Sequence, residues 1–308
     1  MSRVYEALQR SQGEKPSSPL VPDQPEAVAA VAASGTAFAT AEPADAGALN
    51  VPSDRILHPV PTPEQRLVVL SEPNGTGAEM FRVLATRLAH MQNKRRLQKL
   101  LITSSVVDEG KSVVAVNLGL TLARRPNTRV LLIEADLRRP TASILLANSP
   151  LRGINDWHEG KLALEDSLYQ VSDTAMWFLP AGHSVSEPLP LLESEKFARM
   201  LDTVSASFDW VLLDATPMLP MADSTSLSRL CDGVLVVVRE GVTRKKILNK
   251  AVASIEKSKL VGVVFNQAST LNVDYEHYYG SNHSNGKSKK EAKKKVQKDT
   301  DQVKTASA

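Results

Sequence analysis

The sequence predicts an α/β fold, a parallel sheet with helices on both faces, built around a P-loop. Between residues 99 and 266, continuously apolar segments of strand length alternate with helical patterns. Strands that are apolar on both sides are typical of a parallel sheet that helices cover on both faces. A Gly-Lys-Ser sequence at 110–112 lies between the first strand and the first helix of this alternation, where a phosphate-binding loop belongs. In such a sheet ligands bind at the carboxyl ends of the strands.

The bulk composition fits one folded domain between segments of different character. Apolar residues make up 42% of the 308-residue chain, enough for a buried core, whereas aromatic residues make up only 5%. Low aromatic content disfavours a β-sandwich and a nucleic-acid-binding platform, so we expect no nucleic acid partner. The single cysteine, Cys231, excludes an internal disulfide and indicates a reducing, cytoplasmic compartment. We recognise neither a signal peptide nor an apolar run long enough for a membrane helix.

Four segments follow from the composition along the chain. Residues 1–12 can form a short helix, and residues 13–70, rich in Pro, Ala and Ser, predict a disordered linker. The folded domain is predicted for 71–268, and residues 269–308 are predicted to be a flexible tail with tyrosines and lysines. Eight lysines against three acidic residues give positions 287–304 a local charge of +5. This tail could attract anionic lipid or nucleic acid, or it could be merely a solvated end.

Within the predicted domain, the hydrophobic pattern indicates each element in turn. Apolar residues at helical spacing from Met80 to Met91 predict the first long helix. Six apolar segments predict strands, namely Lys99–Thr103, Arg129–Glu134, Met176–Pro180, Trp210–Asp214, Gly233–Val238 and Leu260–Asn266. Helical patterns at Ser112–Arg124 and Lys245–Lys257 lie between strands. This alternation favours crossover connections and therefore parallel strands.

The loop after the first strand has the features of a Walker A loop, with Ser105 at its first glycine position. Its backbone N–H groups and the helix that follows would cradle the phosphates of a nucleotide, while Lys111 neutralises the outer phosphates. The Ser112 hydroxyl would bind Mg²⁺. The predicted nucleotide-binding loop comprises Ser105, Val106, Val107, Asp108, Glu109, Gly110, Lys111, Ser112 and Val113.

Acidic residues follow two further strands. Glu134 and Asp136 lie at the end of the second strand, and Asp214 ends the fourth in a segment with the form of a Walker B motif. A carboxylate at the end of a buried strand requires a partner, which Mg²⁺ or Lys111 would supply. Each one alone could instead be a helix N-cap or half of a surface ion pair. Their occurrence with the Walker A loop in one chain favours a magnesium site of Ser112, Glu134, Asp136 and Asp214.

Two other residues at strand ends have two interpretations each. Arg138 could bind phosphate, or it could pair with a carboxylate. The side-chain amide of Asn266 could face the adenine base, or it could belong to a simple turn. We include both in the predicted nucleotide-binding set.

Together these motifs resemble those of the bacterial tyrosine kinases of capsule and exopolysaccharide synthesis. The similarity covers about residues 71–280 and includes the segments Glu134-Ala-Asp-Leu-Arg-Arg-Pro140, Leu179-Pro-Ala-Gly182, Asp214-Ala-Thr-Pro217 and Tyr275-Glu-His-Tyr-Tyr279. The resemblance implies a fold similar to the MinD and ParA ATPases, ATP and Mg²⁺ as cofactors, and autophosphorylation on tyrosine. It also implies that Asp136 activates the attacking tyrosine, with Lys111 and Asp214 as further catalytic residues.

The same resemblance implies phosphate acceptors and partners. Tyr275, Tyr278 and Tyr279 would be phosphorylated between neighbouring subunits of a homo-oligomer, although three such tyrosines could instead pack on the domain surface. A membrane-embedded regulator of polysaccharide chain length would activate the protein and hold it at the inner face of the plasma membrane. A cognate tyrosine phosphatase would be a further partner.

Several positions depart from the family pattern. Ala85 stands where the oligomerisation motif Glu-x-x-Arg-x-x-Arg has its second arginine. Val107 and Asp108 replace the usual Pro-Gly of the loop, and Glu134 replaces the usual first aspartate. These differences predict weaker assembly and slow turnover.

Two other function classes compete with a kinase. A MinD- or ParA-like partitioning ATPase would carry an additional lysine directly after the first glycine position of the loop, where this chain has Val106. A catalytically weak regulator of polysaccharide assembly, which responds to nucleotide, is suggested by the joint departures at Ala85, Asp108 and Glu134. Phosphotyrosine formation would separate the kinase from both.

Overall fold

The computed structural model describes residues 55–219 and 221–267, so the predicted helix at 1–12 and the tail at 269–308 lie outside the described residues. The described strands form one sheet of β1 (Ile56–Leu57), β2 (Lys99–Ser104), β3 (Val130–Glu134), β4 (Tyr169–Val171), β5 (Met176–Leu179), β6 (Trp210–Asp214), β7 (Gly233–Arg239) and β8 (Leu260–Asn266). The helices are α1 (Val68–Ser71), α2 (Thr76–Gln92), α3 (Lys111–Ala123), α4 (Ala142–Ala147), α5 (Ile154–His158), α6 (Leu189–Leu192), α7 (Glu195–Ser205), α8 (Asp223–Leu230) and α9 (Lys245–Ala253).

The sheet confirms the predicted fold class. Its strand order is β1-β4-β5-β3-β6-β2-β7-β8, and all neighbours are parallel except β4 and β5. The six predicted strands are present, each with its ends within one residue of the prediction. The last helix, α9, ends at Ala253 and is therefore shorter than the predicted 245–257. A turn in which Lys259 N–H donates to the Glu256 carbonyl precedes β8.

The two faces of the sheet are covered by different helices. Strand residues alternate between the faces, so that Leu100 and Ile102 of β2 pack with α2 and α3, while Leu101 packs with α7, α8 and α9. Helix α3 is almost entirely enclosed, with 11 of its 13 residues buried. Because α3 begins at Lys111, the burial of this helix fixes the position of that lysine in the nucleotide-binding loop.

The predicted linker at 13–70 extends too far, because its last part belongs to the folded domain. Strand β1 pairs in parallel with β4, and Leu67 and Val69 are buried in the core. The buried side chain of Asn117 holds this segment: its Oδ1 accepts from Val69 N at 3.2 Å, and its Nδ2 donates to the Arg66 carbonyl at 3.1 Å. A few apolar residues in a proline-rich context do not distinguish this segment from a linker.

No helix in the described ranges 55–219 and 221–267 is long and apolar enough to cross a membrane.

Candidate active site

The predicted site residues converge because three neighbouring strands end side by side. In the order β3-β6-β2, Glu134 of β3 is in register with Asp214 of β6, and Asp214 is in register with Ile102 of β2. The loop after β2 leads directly into α3. The carboxyl ends of these strands therefore bring the Walker A loop and the acidic residues to one place, as expected for a parallel sheet.

Gly110 lies in a conformation and an environment that only glycine fits. Its φ is +87°, in the left-handed region, and a Cβ there would lie 2.1 Å from Nδ2 of Asn266. That amide donates to the Glu109 carbonyl at 3.0 Å. Asn266 therefore supports the loop from the end of β8, a contact that neither of its two sequence interpretations included.

The Glu109 side chain ties the loop together from inside. It is only 3% exposed, and its carboxylate accepts hydrogen bonds from Val106 N at 2.9 Å and from the Thr243 hydroxyl. Thr243 follows β7, so this contact joins the nucleotide loop to the loop before α9. No local motif in the sequence marks Thr243 as a partner of this loop.

Lys111 forms the charged centre of the site. Its Nζ lies 2.9 Å from Oδ2 of Asp136 and 3.6 Å from Oδ1 of Asp214, and it donates to Oγ of Ser112 at 3.2 Å. Burial alone would lower the pKa of Lys111, but the negative charges of Asp214 and Asp136 outweigh it and raise the pKa above its usual range. The ammonium is therefore charged and held at the N-terminus of α3.

The buried negative charge of Asp214 has the Lys111 ammonium, at 3.6 Å, as its counter-ion but lacks hydrogen bonds within the described residues. Neither carboxylate oxygen has a hydrogen-bond partner within the described ranges, and the side chain is fully buried. Burial raises the pKa of Asp214 to about 6, although the charge of Lys111 opposes this shift. Two orphaned carboxylate oxygens beside a serine hydroxyl suit a hard divalent cation such as Mg²⁺.

Glu134 has partners other than the predicted metal. Its carboxylate is fully buried and accepts from Ser143 N at 3.0 Å, from the Ser143 hydroxyl, and from Ala181 N at 3.1 Å. Ala181 belongs to the Leu179-Pro-Ala-Gly182 segment after β5. Within residues 55–219 and 221–267, no group of three or more His, Cys, Asp and Glu is arranged to hold a metal ion.

Comparisons with known proteins agree with this geometry. The family model "Cellulose biosynthesis protein BcsQ" matches residues 103–286. Tyrosine-protein kinase YwqD of Bacillus subtilis (strain 168) is 28% identical over 220 residues, which cover 71% of this chain and 92% of that protein. The kinase domain of Escherichia coli tyrosine kinase ETK is similar with a TM-score of 0.60 and 25% identity, over 66% of this chain and 82% of that chain. This chain belongs to the family of the BcsQ model, which matches more than half of its length. Its relatives identify it as a bacterial tyrosine kinase.

A further solved structure supports this kinase fold. The chimerical protein CapA2B2 is similar with a TM-score of 0.62 and 25% identity, and the match covers 69% of this chain and 93% of that chain. Both solved structures therefore share the architecture over most of their own length.

Arg138 of the kinase pairs with a carboxylate in this structure, which is one of the two roles that the sequence suggested for it. Its Nε lies 2.8 Å from Oδ2 of Asp223, at the start of α8, and the Asp223 side chain is only 2% exposed. The guanidinium also donates to the Ser186 carbonyl. Side-chain hydrogen bonding to Asp223 raises the pKa of Arg138, and burial opposes this shift only in part. Asp223 lies 85 residues from Arg138 and outside any recognised motif, so the sequence alone does not indicate this pair.

The packing of α2 in the kinase explains why position 85 holds alanine where the family pattern has arginine. Ala85 is 2% exposed and packs in the core that α2 shares with α3, whereas Glu79 and Arg82 form an ion pair on the exposed side. An arginine at position 85 would have to leave the core or displace it. The alanine therefore preserves packing at the expense of one charge of the oligomerisation motif.

Replacing Asp214 by asparagine should stabilise the nucleotide-free kinase. The raised pKa means that the folded state binds the Asp214 proton more tightly than the unfolded state, so ionisation costs stability as pH rises from about 4 through about 6. Asp214→Asn removes this cost. We expect its Tm at pH 7.5, in EDTA, to exceed that of the parent by several degrees, since each 1 kcal/mol corresponds to about 2–4 °C.

The control is the same comparison of Tm values at pH 4. At pH 4 the parent carries a protonated Asp214, so the difference in Tm between parent and variant should shrink. A Tm of Asp214→Asn at pH 7.5 equal to or below that of the parent would contradict a net cost of burying the Asp214 charge.

Proposed function

We propose that this chain is an ATP-dependent protein-tyrosine autokinase that acts in capsule or exopolysaccharide synthesis. The observation that carries the proposal is the contact of Lys111 with both Asp136 and Asp214 at the start of α3. This arrangement places a phosphate counter-charge, a candidate base and an unsatisfied carboxylate within one site. The departures at Asp108 and Glu134 do not remove any of the three.

Each residue has a separate task in this proposal. Lys111 leaves its carboxylates for the phosphates of ATP, and the loop from Ser105 to Val113 surrounds those phosphates with N–H groups. Ser112 and Asp214, with Asp136 beside them, would hold Mg²⁺, which supplies positive charge for the developing charge on the phosphates when it is bound. Glu134 acts as a positioning residue: it accepts hydrogen bonds from Ser143 N and Ala181 N and so holds α4 and the segment after β5 beside the site.

Asp136 is the proposed base for the acceptor tyrosine. One of its oxygens faces Lys111, and the other accepts from Arg139 N at 3.0 Å, so the carboxylate is held in place. A tyrosine hydroxyl with a pKa near 10 is a weak nucleophile at neutral pH. The hydroxyl oxygen attacks the γ-phosphorus while its proton passes to Asp136, and ADP leaves.

The proposed acceptors are Tyr275, Tyr278 and Tyr279 of a neighbouring copy in a homo-oligomer. An extended chain from Asn266 to Tyr275 spans at most about 30 Å, enough to reach a neighbour's site. We further propose a membrane-embedded chain-length regulator as activator, a cognate tyrosine phosphatase, and a location at the inner face of the plasma membrane. All three guanidinium nitrogens of Arg138 donate to Asp223 or to the Ser186 carbonyl, so Arg138 would join phosphate binding only after a change of partner.

The function is tested by incubating the purified full-length chain with Mg-ATP and blotting for phosphotyrosine. We expect autophosphorylation that disappears when Tyr275, Tyr278 and Tyr279 are changed to Phe. Tyr169 serves as an internal comparison, because it lies half-buried in β4 and burial raises its pKa. ATP hydrolysis without phosphotyrosine would instead indicate a partitioning ATPase, and neither activity would indicate a regulator without catalysis.

A further inference from the structure

The end of the sheet opposite the nucleotide loop carries a strongly basic surface. Lys99 begins β2, Arg129 directly precedes β3, and Lys259 directly precedes β8. Because these strands are parallel, their first residues lie at the same end of the sheet, away from the active site. We name this surface the basic face and define it by Lys94, Arg95, Arg96, Lys99, Arg129, Arg229 and Lys259.

The basic face is continuous and open. Its residues line two depressions of about 770 and 740 Å³, and both depressions include Arg96, Gln98 and Ala206. Arg96 is highly exposed, with 76% of its side chain accessible, and Lys94 and Arg129 are also exposed. A flat or gently curved partner could therefore reach several of these cations at once.

The acidic residues on this surface leave most of its charge unopposed. Asp202 pairs with Lys99 at 2.7 Å, and Asp232 lies 3.5 Å from Arg96. The third acid, Asp209, accepts from the backbone N of Arg129. The other five cations have no carboxylate of the described residues within 4 Å, namely Lys94, Arg95, Arg129, Arg229 and Lys259.

Part of the positive charge of the basic face, that of Arg95, is removed from water. One of its nitrogens, Nη1, donates to the Ser258 carbonyl at 2.7 Å, but Nε and Nη2 are buried and have no partner within the described residues. A guanidinium that is partly removed from water and lacks a counter-ion raises the free energy of the folded domain. An anionic surface placed against the basic face would lower it.

The chemistry of the basic face favours a lipid surface over other anions. The exposed large hydrophobic side chains of the described residues, Val60, Val107, Ile144, Val242 and Phe265, all lie outside its two depressions. The face thus has no exposed aromatic ring on which nucleic acid bases could stack and no apolar stripe for a partner helix. A membrane with anionic lipids engages scattered cations without either feature.

We propose that the basic face binds the anionic phospholipid surface of a membrane directly. The nucleotide site, at the opposite end of the sheet, then points away from the membrane and stays open to a neighbouring copy. The proposal does not depend on kinase activity, because no residue of the basic face belongs to the active site.

The test uses the full-length chain and vesicles of phosphatidylglycerol and phosphatidylcholine in a sedimentation assay. The test variant replaces Lys94, Arg96 and Arg129 by Gln. Its matched control replaces three exposed lysines of α9, Lys245, Lys246 and Lys250, by Gln, so that both variants lose three positive charges. We expect the vesicle partition coefficient at low salt to fall about tenfold or more in the test variant, and less than about twofold in the control.

Three results would overturn the proposal. Equal losses in both variants would show that net charge, and not this surface, governs binding. Unchanged binding of the test variant would exclude the surface altogether. Stronger binding of the parent to duplex DNA or polyglutamate than to vesicles, lost in the test variant, would assign the face to another partner.

A second variant and a second measurement guard against misfolding. Lys94→Glu with Arg96→Glu changes only exposed side chains and reverses their charge, so it should weaken vesicle binding further than the Gln variant. Autophosphorylation in solution should stay equal in parent and test variant, because the active site lies at the other end of the sheet from the basic face. A folded Glu variant that binds vesicles as the parent does would also overturn the proposal.

Discussion

Lys111→Met is expected to abolish ATP binding and to leave the fold intact. In the structure the Lys111 ammonium is the only cation within 4 Å of Asp136 and Asp214 among the described residues, and it stands at the start of α3 where the phosphates bind. Without it, the phosphates of ATP would meet carboxylates that no ammonium neutralises. We expect no heat of binding for Mg-ATP in calorimetry at concentrations that saturate the parent.

The matched control is Lys99→Met. Lys99 is also a largely buried lysine paired with an aspartate, at 2.7 Å from Asp202, but it lies at the opposite end of the sheet. Its replacement should leave ATP affinity unchanged. ATP affinity in Lys111→Met equal to that of the parent would reject the Walker A assignment, and equal losses in both variants would indicate a general structural effect.

The sequence predicted the sheet and the position of the site well, for a physical reason. Continuous apolar strands and the loop at 105–113 are local patterns, and a parallel sheet brings the ends of its strands together without further information. The contact of Lys111 with Asp136 and Asp214 could therefore be anticipated from the positions of three strand ends.

What the sequence could not predict depends on distant contacts. Glu134 carries the carboxylate expected of a metal ligand, but the end of β5 brings the Ala181 amide against it. Arg138 meets Asp223, and Glu109 meets Thr243, 134 residues away. Each partner comes from an element whose place is fixed by the packing of the whole sheet. The acceptor tyrosines lie outside the described residues, so their role stays a prediction.

Asp136→Asn is expected to retain ATP binding and to lose autophosphorylation. An asparagine has nearly the same shape, and its amide oxygen can still accept from Arg139 N, but it cannot take a proton from tyrosine at neutral pH. Loss of a general base lowers a rate by about 10²–10⁴-fold. We therefore expect phosphotyrosine to form at least about 100-fold more slowly than in the parent.

The affinity for ATP separates this role from a purely electrostatic one. Removing the negative charge of Asp136 frees Lys111 from one of its partners but also takes a carboxylate charge from beside Mg²⁺, so Mg-ATP should bind about as tightly to Asp136→Asn as to the parent. If Asp136 served only as the resting counter-ion of Lys111, affinity would rise while the rate of phosphorylation stayed the same.

A mixing experiment extends the test to transfer between subunits. Lys111→Met protein supplies intact tyrosines but no ATP site, and a size-tagged Asp136→Asn chain supplies an ATP site without the base. Tagged parent should phosphorylate the Lys111→Met chain, whereas tagged Asp136→Asn should not, because the base must lie beside the ATP that is used. Phosphorylation by Asp136→Asn at the parental rate would show that another group accepts the proton, and labelling confined to the tagged parent would show that transfer stays within one chain.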